Sequence, residues 1–361
     1  MYRFNGIFGI NLFAERKMYM TGSSAVVNKE LINKEQVKNI LITRTDRIGD
    51  VILTLPLVSE AKRIFKNAKV FFFVKKYLEE LILDYNGVDV LLIEESISGF
   101  FEKYKYFKTK NLDLVINVKP RFDLALLFFL LGVKYRIGTG YRWFSFLYNR
   151  RVYEHRKVSD KHESDYNLNL LKHYFDEVKN AKEFYFKYSE NERKKLDDNL
   201  SGLLGKKYII IHPGSGGSAK DLPVERFSEF INAFNEEFGN YKIVLTGTKN
   251  ENSILNELKS SIKNETLNKV IDVSGILNLR ELMILIDKSS LFVSNSTGPI
   301  HIAGALNKNI IGFYPNEKPM SDVRWKPLSR NTVILKPEAI SDDMNKIRKE
   351  EIIKAVNTFL K

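Results

Sequence analysis

The sequence of 361 residues contains no cysteine. Disulfide bonds, thiolate metal sites and thiol catalysis are therefore excluded, and the composition fits the reducing cytoplasm. Long apolar runs are also missing. The longest, residues 124–131, falls well short of the roughly 18 residues that a membrane-spanning helix needs, and it is predicted to be a buried helix. Because the amino-terminal segment lacks the apolar stretch and cleavage site of a signal peptide, we expect a cytoplasmic protein.

Acidic residues are in the minority, with 44 Asp and Glu against 57 Lys and Arg, and the formal net charge is +13. Such an excess favours anionic partners such as phosphates, nucleic acids or an acidic membrane surface. The basic residues are dispersed and no known nucleic-acid-binding module is present, so we expect no nucleic-acid partner. A low-GC genome that favours lysine is an adequate alternative cause of the excess.

Short strands and amphipathic helices alternate twice along the chain, which predicts an α/β protein. Two Rossmann-like, doubly wound domains are expected at residues 38–185 and 186–345. Residues 1–37 are interpreted as an extension, with docking to a membrane surface or partner and simple disorder as alternatives. Residues 346–361 are predicted to form an amphipathic helix, with the first domain as its candidate packing partner. Ligands of such folds bind at the carboxyl ends of the strands, so the loops that follow strands are the candidate site.

The first of these loops, residues 44–50, carries two arginines, two aspartates and a glycine between a strand and a helix. The glycine lets the backbone turn sharply or approach a ligand closely. A carboxylate at the start of a helix is favoured by the helix dipole, which keeps it ionised. Asp50 is therefore either a helix-capping residue or a base at the mouth of a cleft.

The second loop, residues 212–220, contains three glycines and two serines and ends in a lysine. Backbone N–H groups, hydroxyls and a lysine at a strand end are typical of anion-binding loops, and a flexible solvent loop is the alternative. The spacing excludes a Walker A motif and a dinucleotide-binding fingerprint. The candidate phosphate-binding residues are Ser215, Gly216, Gly217, Ser218 and Lys220.

The third loop, residues 294–301, also offers hydroxyls and N–H groups at the start of a helix. Pro299 preorganises the first helical turn. His301 lies within that turn, where it is either structural or turned towards the cleft. The candidate ligand-binding residues are Ser296, Thr297, Gly298 and His301.

Together these loops resemble glycosyltransferase family 9, the family of the ADP-heptose:lipopolysaccharide heptosyltransferases. The resemblance covers residues 39–355, in the family's order and spacing. The R-x-D-x-x-G-D-x-x-x-x-x-P signature is matched by Arg44, Asp46, Gly49, Asp50 and Pro56. The H-P-G-x-x-x-x-x-K-x-W-P segment is matched by His212, Pro213, Gly214, Lys220 and Pro223. The N-D-T-G-x-x-H segment is matched by Asn295, Thr297, Gly298 and His301.

Two further matches are weaker, and two positions depart from the family. Residues 135–138 resemble the family's R-I-G, and His162-Glu163 resembles its H-E before a leucine-rich helix. Leu222 stands where the family usually has Trp. Ser296 stands where it usually has an Asp that is implicated in holding the donor sugar. This leaves the sugar identity more open than the reaction class.

The resemblance implies a GT-B fold, with an acceptor domain at residues 38–185 and a donor domain at residues 186–345. It implies an inverting, metal-independent transfer from ADP-heptose to a lipopolysaccharide inner-core acceptor, with no cofactor besides the donor. Asp50 would accept the proton of the acceptor hydroxyl. Lys220 and the loop N–H groups would stabilise the departing diphosphate, because no convincing metal site is present.

One more strand end carries Thr246 and Glu251, which are included among the donor-binding candidates. Glu251 is placed to bind the ribose hydroxyls. An exposed carboxylate in the first turn of a helix is the alternative.

Basic residues of the first domain are candidates for binding an anionic, lipid-linked acceptor. Peripheral attachment to the cytoplasmic face of the inner membrane is expected, through charge and exposed aromatic residues, with core packing as the alternative for the aromatics. The acceptor-binding candidates are Arg44, Asp46, Arg47, Arg121 and Arg136, and the aromatic ones are Phe100, Phe101, Trp143 and Phe144.

Two other functions stay open. A GT-B enzyme that uses another nucleotide sugar for surface polysaccharide is suggested by Ser296. A nucleotide-binding relative that has lost catalysis is the other, and the intact set of Arg44, Asp46, Asp50 and Lys220 argues against it.

Overall fold

The computed structural model describes residues 32–180, 182–217, 220–338 and 341–361. Residues Lys34–Lys361 form one large compact unit. Most of the extension predicted at residues 1–37 lies outside the described residues. Within the large unit a short 3-10 helix, Lys34–Gln36, precedes the first strand.

The first half of the large unit is built on a six-stranded sheet in which every pairing is parallel. Its spatial order is β3-β2-β1-β4-β5-β6. Central parallel strands are covered on both faces and need unbroken apolar runs, which Ile40, Leu41 and Ile42 supply with no exposed surface. The strands are β1 Asn39–Thr43, β2 Lys69–Val74, β3 Val90–Ile93, β4 Leu114–Asn117, β5 Tyr135–Thr139 and β6 Arg150–Val152.

The second half repeats this plan, with the order β12-β11-β10-β7-β8-β9 and parallel pairing throughout. When the second sheet is read from β9 to β12, its strands follow the same order as those of the first sheet. The strands are β7 Tyr208–His212, β8 Lys242–Leu245, β9 Val270–Asp272, β10 Leu291–Asn295, β11 Ile310–Phe313 and β12 Thr332–Leu335. The predicted α/β class with two doubly wound domains is confirmed.

Helices cover both sheets. In the first half they are α1 Ile48–Ile52, α2 Leu55–Ile64, α3 Glu79–Ile82, α4 Phe100–Lys108, α5 Phe122–Leu130 and α6 Glu163–Lys172. In the second half they are α7 Glu190–Asn199, α8 Val224–Glu237, α9 Asn252–Ser260, α10 Asn264–Leu267, α11 Leu279–Lys288, α12 Gly298–Ala305, α13 Asp322–Trp325 and α14 Lys349–Leu360. In the part of the chain described, none of them has the length and apolarity to cross a membrane.

Three details differ from the sequence-based expectations. The single helix expected after the first loop is split into α1 and α2, because Pro56 has no N–H to donate to Ile52. The apolar run in α5 is buried on one face only, since Phe129 and Leu130 are about half exposed. The edge strands β6 and β12 were not predicted, and the interior strand β5 had been noted only as a motif match at residues 135–138. Edge strands are half-buried and carry a weaker apolar pattern.

The carboxyl-terminal helix α14 does not pack on the first domain, and that expectation is wrong. Ile352 and Val356 are fully buried in the apolar core of the second half. Phe230 and Phe234 on α8 belong to the same core. The helix is amphipathic, as predicted, and its apolar stripe completes the layer of helices over the second sheet.

Candidate functional site

A cavity of about 680 Å³ lies between the halves. In each sheet the strand order reverses beside the first strand, between β1 and β4 and between β7 and β10. Ligands of open α/β sheets bind outside the strand ends at such switch points. The candidate residues that line the cavity are Arg47, Gly49 and Asp50 from the first half, and Ser215, Gly216, Thr246, Glu251, Ser296, Thr297, Gly298 and His301 from the second.

The lysine predicted to cradle the diphosphate lies elsewhere. Lys220 is exposed and forms ion pairs with Glu317 at 3.1 Å and Asp342 at 3.4 Å, and it is not among the residues that line the cavity. Gly217 is likewise outside the lining, and Ser218 lies outside the described residues. Lys220 must therefore exchange its acidic partners before it can bind a phosphate.

Most of the predicted acceptor-binding residues are engaged within the first half. Arg121 donates to Thr45 Oγ1 at 2.9 Å and pairs with Glu94 and Asp123. The side chain of Arg136 donates to the carbonyl of Leu147 at 2.9 Å, and neither residue lines the cavity. Of the predicted acceptor-binding residues, Arg47 lines the cavity. Arg44 and Asp46 instead belong to a buried charge cluster behind the cavity.

The position of Asp50 does not support the helix-capping alternative. The N-cap residue of α1 is Arg47, and no side chain caps this helix. The carboxylate of Asp50, the third residue of α1, instead pairs with the guanidinium of Arg44, which also donates to Asp46 at 2.7 Å.

The electrostatic surroundings of Asp50 make it a better base than its position in the sequence suggests. Burial raises the pKa of Asp50, Arg44 opposes this rise, and the charges of Asp46 and Glu163 add to it. The direction is opposite to that expected from the helix dipole alone. A carboxylate whose pKa lies above its usual value accepts a proton more readily at neutral pH.

In the sequence, Glu163 is only part of a weak motif match. In the structure, Glu163 is central to the charge cluster. Its carboxylate is fully buried and contacts Arg44 at 3.3 Å, Arg324 at 2.9 Å and also Arg156. Burial would raise the pKa of Glu163, but the three guanidinium groups outweigh it and hold the pKa below its usual value. A glutamate directly before an apolar helix was the available signal, and no sequence pattern indicated its partners.

In the second half, two polar side chains of the cleft are fixed by neighbouring groups. Nδ1 of His212 lies 3.0 Å from Thr246 Oγ1. Glu251 Oε2 accepts from the backbone N–H of Thr248 at 2.7 Å and from its hydroxyl at 2.9 Å. Glu251 is buried, so the exposed-carboxylate alternative is wrong. Its other oxygen would lie 2.1 Å from a Cβ added to Gly214, and only glycine permits this close approach.

Asn295 joins the second and third loops. Its side-chain amide donates to the carbonyl of Pro213 at 2.6 Å, and its Oδ1 accepts from the backbone N–H of Leu222 at 2.9 Å. Leu222 itself is buried in the apolar core of the second half. At this position leucine therefore provides apolar packing.

Ser296 lines the cavity and is hydrogen-bonded to the hydroxyl of Tyr314. Because the Tyr314 hydroxyl donates to the carbonyl of Trp325 at 2.9 Å, Ser296 is the donor of the first bond. The serine thus presents a neutral, tethered hydroxyl where a carboxylate would present a charge.

The two halves are in close contact where α1 crosses α12. A Cβ added to Gly49 would lie 2.6 Å from Cδ2 of His301, and one added to Gly298 would lie 2.9 Å from Cβ of Ile48. Each helix therefore contributes a glycine opposite a side chain of the other. Burial, with a smaller effect of His162, lowers the pKa of His301 to about 3, so its imidazole is neutral at physiological pH.

A second histidine links the halves. His162 Nδ1 accepts from the backbone N–H of Ser164 at 3.2 Å, so Nε2 carries the proton and donates to the carbonyl of Lys326 at 2.8 Å. Burial lowers the pKa of His162 to about 4. Among the described residues there is no group of three or more His, Asp or Glu side chains arranged to hold a metal ion.

Comparison with known proteins gives consistent matches. The family model described as Glycosyltransferase family 9 (heptosyltransferase) matches residues 102–355. A Haemophilus influenzae protein named only as a glycosyltransferase is 28% identical over 305 residues, covering 81% of this chain and 87% of that protein. Lipopolysaccharide heptosyltransferase 3 of Escherichia coli is 24% identical over 298 residues, covering 79% and 85%. The structure of E. coli ADP-heptose lps heptosyltransferase II matches with a TM-score of 0.75 at 19% identity, covering 90% and 98%.

Proposed function

Because the chain belongs to glycosyltransferase family 9, we propose that this glycosyltransferase moves a heptose from ADP-heptose to an inner-core sugar of a lipopolysaccharide precursor. The fold is GT-B, with one Rossmann-like domain on each side of the cleft. One observation carries the proposal: the half-buried carboxylate of Asp50 lines the same cavity as residues of the two candidate anion-binding loops of the opposite half. Relatives named as lipopolysaccharide heptosyltransferases support the choice of sugar and acceptor.

The reaction proposed is a single displacement that inverts the anomeric centre. The acceptor oxygen forms a bond to the anomeric carbon while the bond from that carbon to the diphosphate breaks, and ADP departs. Asp50 takes the proton of the attacking hydroxyl, a task for which its raised pKa is suited. Because base and leaving group lie on opposite halves, attack and departure occur on opposite faces of the sugar.

The second half offers the groups that would stabilise the diphosphate without a metal ion. Thr297 is the N-cap residue of α12 and makes no side-chain cap, so the start of this helix, where Thr297 and Gly298 line the cavity, favours an anion. Gly216, which lines the cavity, and Gly217 have φ values of 57° and 74°, in the left-handed region that glycine adopts without strain. Glu251 is proposed to bind the ribose hydroxyls.

A different nucleotide sugar is the second candidate, and Ser296 favours it. The tethered hydroxyl of Ser296 cannot make the charged hydrogen bonds to sugar hydroxyls that a carboxylate makes. Loss of catalysis is a weaker alternative, because the base, the cavity and the loops are assembled.

The donor is tested by turnover of a panel that includes ADP-heptose, ADP-glucose and UDP-sugars, with lipopolysaccharide precursors as acceptors. We expect turnover of ADP-heptose at least about tenfold faster than of the other sugars, which corresponds to about 1.4 kcal/mol of discrimination. A strict preference for a UDP-sugar would reject the heptose assignment. Turnover of no donor, together with tight ADP binding, would favour the inactive relative.

The first half carries an exposed aromatic surface that we propose as the contact with an anionic bilayer. This aromatic face is formed by α5 and the loop before β6. Trp143 is 74% and Phe146 is 55% exposed. Phe144, in contrast, is buried, and Phe100 packs against the core, so core packing is the outcome for these two. The exposed members of the aromatic face are Phe122, Phe129, Leu130, Trp143 and Phe146.

The charge around the aromatic face suits an acidic membrane. The only acidic residue of segment 119–151 is Asp123, which is paired with Arg121, against seven basic residues. Arg121 also contacts Thr45 of the first loop, which carries Asp50, so the aromatic face adjoins the proposed acceptor side of the cleft. Aromatic side chains with arginine and lysine are typical of membrane–water interfaces. The basic residues are Lys119, Arg121, Lys134, Arg136, Arg142, Arg150 and Arg151.

A further inference from the structure

The buried charge cluster behind the cleft connects the two halves to the base. Glu163, at the start of α6, is completely buried and does not line the cavity. Its Oε1 contacts Arg44 and Arg156 of the first half, and its Oε2 accepts two bonds from Arg324 of the second half, at 2.9 and 3.0 Å. Arg324 lies on the short helix α13.

Arg44 contacts both Glu163 and the proposed base, Asp50. Its Nη2 contacts Asp50 and lies 3.3 Å from Glu163, while its Nε donates to Asp46 at 2.7 Å. A single buried guanidinium is therefore shared among three carboxylates. A planar guanidinium has a fixed fork of donors, so any force that moves Arg44 towards one carboxylate moves it away from another.

As a contact between the two halves, the charge cluster contributes little net free energy of stabilisation. Desolvation of buried ions offsets most of the Coulombic gain, and apolar side chains of similar volume would join the halves at less cost. The cluster is balanced, with Asp46, Asp50 and Glu163 against Arg44, Arg156 and Arg324. Because the cluster lies directly behind Asp50, the balance of its charges affects the proposed base.

We infer that Glu163 is a positioning residue which, through Arg44, sets how tightly Asp50 is held, and that Arg324 makes this hold depend on docking of the second half. With the halves docked, Arg324 neutralises part of the charge on Glu163, and Arg44 remains shared with Asp50. Without Arg324, Glu163 draws Arg44 away from the base. The inference rests on the proposed role of Asp50.

Other charged groups also face Asp50 and belong in the account of its titration. From its own loop these are Arg44 and Asp46, and from the elements around it Glu163 and Arg156. The hydroxyl of Tyr77 donates to the backbone carbonyl of Asp46 at 2.6 Å, and Lys119 lies 3.6 Å from the Asp46 carboxylate. From the second half the neighbour is the neutral ring of His301, packed on Gly49.

The first variant is Glu163→Gln, which keeps the shape and removes the charge. The negative charge of Glu163 raises the pKa of Asp50, so its loss lowers that pKa. Asp50 acts when ionised, and the acidic limb of kcat/KM should therefore move to lower pH, by roughly half a unit or more. Above this limb kcat should fall by about twofold to threefold, since a weaker base accepts the proton less readily, with donor KM unchanged within about twofold.

The second variant, Arg324→Gln, should act in the opposite direction. It removes a positive charge and leaves Glu163 free to draw Arg44 from Asp50, so the acidic limb should move to higher pH. This variant also keeps the inference testable if Glu163→Gln does not fold. A purely structural role for the cluster would lower thermal stability in both variants without moving the limb in opposite directions.

Arg280→Gln is the matched control. Arg280 also joins the halves, since it donates to the carbonyl of Leu83 at 2.8 Å and to Glu192 at 2.8 Å, but it makes no contact with the charge cluster. We expect the acidic limb of the kcat/KM profile of Arg280→Gln to coincide with that of the unmodified enzyme. If Asp50→Asn retains full activity, the base and the inference are both rejected. If the limb depends on Asp50 but stays in place in Glu163→Gln and Arg324→Gln, only the inference is rejected.

Discussion

The half-buried Asp50 and the fully buried Glu163 belong to one charge cluster, yet their pKa values move in opposite directions. Burial dominates at Asp50 and raises its pKa, because only Arg44 opposes it at close range. At Glu163 three arginines outweigh burial and lower the pKa. The number of guanidinium groups in contact therefore decides which carboxylate is available to take a proton and which remains charged.

The role of Asp50 is tested by Asp50→Asn, which keeps the volume and removes the basic oxygen. We expect kcat to fall by roughly 10²- to 10⁴-fold, the usual contribution of a general base. Binding of ADP, measured by calorimetry, should change less than about twofold, since the phosphate-binding loops belong to the other half. Glu236→Gln, which alters an exposed ion pair with Lys263 on the second half, is the control and should keep full activity. Full activity of Asp50→Asn would remove this residue from the mechanism.

Pairs of helices set the geometry of the cleft. The crossing of α1 and α12 has Gly49 under His301 and Gly298 against Ile48, so the backbones meet without an intervening side chain. Asp50 follows Gly49 directly in the chain. The separation of the helices therefore also sets the distance from the base to the loop at Thr297, which begins α12.

The substitution Gly49→Ala tests this crossing. The new Cβ would lie 2.6 Å from the ring of His301, a contact that only a shift of the helix or the ring can relieve. Such overpacking typically costs about 1–3 kcal/mol, which thermal unfolding would register as a lower Tm. We also expect kcat to fall, because the shift moves Asp50 away from the donor.

Gly205→Ala is the control for this prediction, since a Cβ there meets no heavy atom within 4 Å. It should leave both Tm and kcat nearly unchanged. Wild-type stability and activity of Gly49→Ala would show that the close approach of the helices is not required.

At the scale of the whole molecule, the proposed contact between the aromatic face and a membrane can be tested with vesicles. We expect the full chain to sediment with vesicles that contain phosphatidylglycerol and not with phosphatidylcholine alone, and added salt should weaken the binding. The double substitution of Trp143 and Phe146 by Ser should weaken binding at least about tenfold, while turnover of a soluble, lipid-free acceptor is kept.

Ile276→Ser is the matched control for the vesicle experiment, because Ile276 is 69% exposed on the second half, away from the aromatic face. It should bind vesicles like the unmodified protein. Equal binding by the double variant would reject the proposed membrane contact. A dimer that dissociates in the double variant would instead identify the aromatic face as an interface between two copies.

Much of this architecture follows from local patterns in the sequence. The central strands are continuous apolar runs, because parallel strands covered on both faces admit little else, and this was enough to predict two doubly wound domains. The loops at their carboxyl ends are rich in glycine, serine and charge, so the region of the site was also predictable. The edge strands β6 and β12 were missed because they are half-buried and carry a weaker pattern.

Contacts between distant residues were decided only by the tertiary structure. The sequence by itself determined the fold class, the three loops and the identity of the candidate base at Asp50. It did not determine that Arg44 is shared with Glu163, which lies 119 residues further along the chain, or that Lys220 is held by acidic residues outside the cleft. Burial and charge neighbours set a pKa, and both depend on which distant segments meet in space, so the raised pKa of Asp50 is a property of the fold.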